Sequence, residues 1–113
     1  MIIMEKIKVI QVLKHVNNML VAKEYDKIHE EDFMKDGNYQ NLWLNIKEYG
    51  GQITIPSDNA LNNPKLLEIE DDEAMIEFDL WVDGKESDLT ISLLVIKNKN
   101  DIYQFNIEEI HIQ

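Results

Sequence analysis

At Gly50-Gly51 the spacing of apolar residues in this chain changes. Before that pair, apolar positions recur three and four residues apart; after it, they recur every second residue. One segment cannot serve both periods, so helices come first and strands follow, the α+β class. The expected architecture is N-terminal helices packed on a curved antiparallel sheet of about four to five strands. With 113 residues, the chain is expected to be a single domain over 1–113, with a helical part 5–49 and a sheet part 52–112.

Residues 5–23 read as an amphipathic helix. Val9, Val12, Leu13, Val16, Met19 and Leu20 form its stripe, with Ile7 and Ile10 on the flank, and Lys8, Gln11, Lys14, Asn17 and Asn18 fill the other side. So broad a stripe suits a helix lying across a sheet. Tyr25, Ile28 and Phe33 suggest a second short helix to about Asp32, broken by Asp36-Gly37-Asn38. Tyr39, Leu42, Trp43 and Ile46 suggest a third, closed by Gly50-Gly51, with Trp43 on its core side.

Strands are expected at Gln52–Ile55, Leu66–Glu70, Met75–Val82, Leu89–Ile96 and Ile102–Ile112, with a turn-rich connection over Ser57–Pro64. Short links at 83–86 and 97–101 make the last three strands antiparallel. Ile76, Phe78, Leu80 and Val82 share one face with Leu89, Ile91, Leu93, Val95, Tyr103, Phe105 and Ile107. Beyond Ile107 the apolar positions are Ile110 and Ile112, a slip that one extra residue repairs. A β-bulge is therefore expected at Glu108-Glu109.

Charge divides the chain as sharply as periodicity does. The net charge is -11, and every one of the 11 cationic side chains is Lys. Residues 1–50 hold seven Lys against eight acids, a net of -1; residues 51–113 hold four Lys against fourteen acids, a net of -10. The opening Met1–Lys23, with four Lys and one Glu, is locally basic. A field of this sign on the strand half repels nucleic acid and anionic membrane and attracts basic proteins. With no Cys, disulfides, thiolate chemistry and thiolate metal sites are excluded. Met1–Lys8 lacks the apolar core of a signal peptide, and the longest later apolar run is Leu93–Ile96, so a cytoplasmic protein is expected.

Side chains opposite the apolar face are Glu77, Asp79, Trp81 and Asp83, then Asp88, Thr90 and Ser92, then Gln104, Asn106 and Glu108. The plain reading is a solvated outer face. The sharper one is a partner-binding patch of Glu77, Asp79, Trp81, Asp83, Asp88 and Glu108. Carboxylates two apart repel, a partner relieves that repulsion, and Trp is enriched at interface centres. No catalytic set is expected. His29 opens His-Glu-Glu-Asp-Phe without the second His of a zincin, His15 and His111 stand apart, and no Gly-rich phosphate loop or nucleophile elbow occurs. Neither a metal nor a cofactor is expected.

The segments Tyr49–Pro56, Phe78–Trp81, Ser87-Asp88-Leu89-Thr90-Ile91-Ser92 and Ile107-Glu108-Glu109-Ile110-His111-Ile112 resemble the landmarks of a small uncharacterised bacterial domain family. Its members end in an acidic pair followed by a hydrophobic-His-hydrophobic close, and the resemblance assigns no residue a role. More coarsely, helices followed by a curved sheet are similar to the cone fold of nuclear-transport-factor and ketosteroid-isomerase proteins. That fold hosts enzymes, ligand carriers and immunity proteins alike, so it implies no single activity.

Two functions compete on these grounds. One is an acidic protein-binding module, an immunity protein covering a basic toxin domain such as a nuclease. Small size, the charged strand half and the lack of a catalytic motif favour it. The other is a small-ligand carrier or enzyme with a pocket between helix and sheet, its acid or base drawn from Asp79, Tyr103 or His111.

Overall fold

The computed structural model describes residues 5–34 and 39–112. Helix α1 (Lys6–Val21) buries Val9, Leu13, Val16, Met19 and Leu20, as the spacing requires. Its polar side departs from expectation at one position: Asn17 is only 1% exposed. Helix α2 (Tyr25–Glu31) follows after Lys23, which turns the chain with φ 59°. Asp36-Gly37-Asn38, the expected breaker, lies outside the described residues. Helix α3 (Tyr39–Tyr49) buries Leu42 and Ile46, and Gly50 and Gly51 end it at φ 87° and 76°. Trp43 sits half-buried at the core margin, its ring stacked on Tyr25 with centroids 4.6 Å apart.

Among the described residues the sheet has five strands: β1 (Ile53–Thr54), β2 (Lys65–Ile69), β3 (Glu73–Val82), β4 (Lys85–Lys97) and β5 (Tyr103–Ile112). All pairings are antiparallel, in the order β1-β3-β4-β5 with β2 also on β3. Strands β1 and β2 share one edge of β3. The first pairs with Trp81 and Val82 and the second with Ala74–Glu77, so Phe78–Leu80 have no strand on that side. In that gap the chain leaves the sheet and returns. The turn-rich connection expected there instead contains a short helix, α4 (Asp58–Asn62), whose first turn is capped by Ser57 Oγ accepting from Ala60 N–H at 3.1 Å.

Two links are tighter than expected. Asp83 and Gly84, both at positive φ, close β3 onto β4 as a two-residue hairpin, so β4 begins at Lys85. The acidic run 70–73 closes β2 onto β3 through Glu70 N–H to Glu73 O at 2.7 Å. The expected bulge is present: Ser92 pairs with Glu109 and Leu93 with Ile107, leaving Glu108 as the extra residue. Ala74, Ile76, Phe78, Leu80, Leu89, Ile91, Leu93, Val95, Phe105, Ile107 and Ile110 are buried and join the α1 stripe in one core. Each fully buried Leu or Ile there contributes about 1.5–3 kcal/mol.

Candidate functional site

Alternation places Glu77, Asp79 and Trp81 on the sheet face turned away from the core. The α4 excursion rises beside them. Ser57, Asn59, Ala60, Asn63 and Pro64 from that excursion, Lys65 of β2, Phe78, and Glu86 and Thr90 of β4 complete a pocket of about 400 Å³. Three of the six residues expected from the sequence to bind a partner therefore meet in one cavity.

Within it, Thr90 Oγ1 donates to Asp79 Oδ1 at 2.8 Å, fixing that carboxylate. Lys65 Nζ lies 3.9 Å from Glu77 Oε1 and is far more exposed than its partner, so the pair is loose and screened. Trp81 is half-buried, and its Nε1–H is enclosed with no acceptor among the described residues. Glu86, across the sheet from Trp81, adds a third carboxylate. Three acids and an indole offer a positively charged side chain charge partners and an aromatic face for cation–π contact, and the exposed Lys65 can swing aside from Glu77. Among the described residues no cluster of three or more His, Asp or Glu is arranged to hold a metal ion.

The other three candidates do different work. Asp83 Oδ1 accepts Gln52 N–H at 2.9 Å while Asp83 N–H donates to Gln52 O at 2.8 Å, locking β1 to the hairpin. Asp88 Oδ1 accepts the Tyr49 hydroxyl at 2.6 Å, tying the end of α3 to β4. This bond to Asp88, with a smaller effect of desolvation, holds the Tyr49 hydroxyl above its ordinary pKa of 10.0. Glu108 is the exposed extra residue of the bulge. None of the three lines the pocket.

The bulge also corrects the layout of that face. Across the strands, Asp79 aligns with Thr90 and His111, and Glu77 with Ser92 and Glu109. Glu109 and His111, not Glu108, thus complete the rows. His111 Nδ1 lies 3.6 Å from Glu109 Oε1, beyond hydrogen-bonding distance. Nor is the face uniformly solvated, since Thr90 is 1% exposed and Asn106 4%. Asn106 Nδ2 donates to both oxygens of Asp32, at 3.0 and 3.1 Å.

A second concavity, about 390 Å³, runs between α1 and β5. Val12 and Phe105 give it an apolar floor, and Lys8, Gln11, His15, Glu31, Tyr103 and Gln104 surround it. Of the acid–base candidates Asp79, Tyr103 and His111, only Tyr103 lies here, its hydroxyl accepting Glu5 N–H at 2.9 Å.

Among the described residues no helix is long and apolar enough to cross a membrane. Comparison with curated proteins gives no match, and comparison with solved structures gives none either. A family model described as "Domain of unknown function (DUF7668)" matches residues 18–113, from the last turn of α1 through the last strand, and includes every described residue of the acidic pocket. On that match, this chain belongs to the DUF7668 family.

Proposed function

We propose that this protein is an acidic protein-binding module whose α4 pocket receives a basic side chain of its partner, arginine before lysine. The observation that carries the reading is the convergence of Glu77, Asp79 and Trp81, with Glu86, on one cavity. A planar guanidinium can bond a carboxylate with two N–H groups while stacking on the indole; an ammonium cannot do both as well. The partner is a basic toxin domain, of the kind a nuclease presents, and the protein acts as its cytoplasmic immunity protein. Support comes from the net charge of -10 over residues 51–113, which steers a basic partner toward this side.

The test is association kinetics with a basic protein ligand, using small basic ribonucleases and cationic peptides as probes. Replacing Glu77 and Asp79 with Lys should slow association about 10–100-fold at low salt, with the difference shrinking as salt rises. Unchanged and salt-insensitive association would remove the basis of the proposal.

A further inference from the structure

Among the described residues the groove between α1 and β5 shares no residue with the acidic pocket, and its charged lining is one lysine, Lys8, and one acid, Glu31. Its floor is Val12 and Phe105, and the Tyr103 ring forms one wall. Among the described residues Glu31 is its one lining acid, and Glu31 Oε1 is held by His15 Nε2 at 2.7 Å. Lys8 is the permanent cation: its Nζ lies 3.0 Å from Glu5 Oε2 and 5.7 Å from the centre of the Tyr103 ring. An ammonium has three N–H donors, and Glu5 occupies one, so two stay open to a ligand. The side-chain amides of Gln11 and Gln104 make no hydrogen bond among the described residues and stand free at the rim.

These groups select a ligand by elimination. A cationic molecule would meet Lys8, and the two carboxylates at hand among the described residues, Glu31 and Glu5, already hold His15 and Lys8. A purely apolar molecule would strand the ammonium and both amides against its surface, at the cost of their hydration. A flat ring bearing one carboxylate satisfies all of them. About 390 Å³ is room for such a molecule and not for a folded partner. We propose that this groove binds a small aromatic carboxylate, its ring between Val12, Tyr103 and Phe105 and its carboxylate on Lys8 Nζ, with Gln11 and Gln104 completing the contacts. The site stands on its own residues and does not depend on the protein-binding role of the α4 pocket.

The experiment is titration of ¹⁵N-labelled protein with benzoate, benzamide and benzylamine, followed by amide chemical shifts. Benzoate should give saturable shifts confined to Lys8–His15 and Tyr103–Phe105 at millimolar concentration, and benzamide should bind about tenfold more weakly. Lys8→Met should bring benzoate down to the level of benzamide, Lys8→Arg should retain it, and Glu77→Gln should leave it untouched. Lys8 is exposed, so circular dichroism of the Lys8 variants should match the parent. Benzylamine binding as tightly as benzoate, shifts scattered outside the groove, or no saturation would each overturn the assignment.

Discussion

The carboxylate of Asp32 accepts the backbone N–H of Ile107 at 3.0 Å, from a position with no solvent exposure and 75 residues away in sequence. It occupies the place a sixth strand would take along β5. Neighbouring groups continue the cover: Phe33 N–H donates to Phe105 O at 3.0 Å, and Asn45 Nδ2 donates to Ile110 O at 2.8 Å. An edge so occupied cannot pair with another chain without losing these bonds first. The same Asp32 carboxylate also takes Asn106 Nδ2 and Met34 N–H, so one side chain holds the end of α2 to the last strand.

Asp32→Ala should therefore be severely destabilising. It strands the Ile107 N–H and the Asn106 amide in the interior, an expected loss of about 3–5 kcal/mol summed over the orphaned donors. Urea unfolding should show the drop in midpoint, and the freed edge should raise self-association in analytical ultracentrifugation. A loss under about 1 kcal/mol would mean that water replaces the carboxylate at little cost.

Asn17 is the opposite case. Its side chain is buried in α1 with neither Oδ1 nor Nδ2 hydrogen-bonded among the described residues. Removing an unsatisfied amide and replacing it with an apolar group of similar size should stabilise. Asn17→Leu is expected to gain about 1–3 kcal/mol, read as a higher melting temperature. A lower one would show that the amide has a partner after all.

Alkaline stability should depend on Tyr49. Its hydroxyl proton is held by Asp88, so the folded pKa lies above 10.0 while the unfolded one does not. The folded state binds the proton more tightly. The associated stability is complete below pH 10 and is lost as pH rises from there through the folded pKa. Tyr49→Phe should remove that part of the alkaline decline, and its difference absorbance against the parent should show Tyr49 ionising later than a free tyrosine. An identical decline in both proteins would contradict the assignment.

Gly50 and Gly51 both have positive φ, but only one has neighbours in the way. A Cβ on Gly50 would meet nothing within 4 Å, whereas one on Gly51 would lie 2.7 Å from Asp83 Oδ2 and from Val82 Cγ1. Gly50→Ala should cost about 1 kcal/mol for the left-handed backbone alone, and Gly51→Ala distinctly more, because the hairpin must move. Equal losses would mean that the hairpin yields freely.

What could be read ahead of the structure followed from periodicity, and what could not depended on distant partners. The bulge at Glu108 was legible because a parity slip between Ile107 and Ile110 leaves one repair. Helix α4 was not: five residues flanked by Pro56 and Pro64 carry too little period, although Ser57 is a good cap. Asp83-Gly84 is a strong hairpin signal, yet reading four residues as loop shortened β4. Asn17 falls at the border of the α1 stripe, where an amide reads as surface. Asp32 is one acid among 22 in the chain, and its role rests on Asn106 and Ile107, far along the sequence. For the acidic patch, alternation correctly grouped Glu77, Asp79 and Trp81 on one face. It could not distinguish them from Asp83 and Asp88, which structural hydrogen bonds hold elsewhere.

The most direct test of the central claim is a pair of peptides differing only in one residue, arginine or its uncharged isostere citrulline, titrated against ¹⁵N-labelled protein. Specific capture of arginine by the α4 pocket requires that shifts cluster at Ala60, Glu77–Trp81, Glu86 and the Trp81 indole. The citrulline peptide should bind about tenfold or more weakly, and a Glu77→Gln/Glu86→Gln variant should erase the difference. Equal binding of the two peptides, or shifts spread evenly over the acidic residues of the strand half, would contradict it.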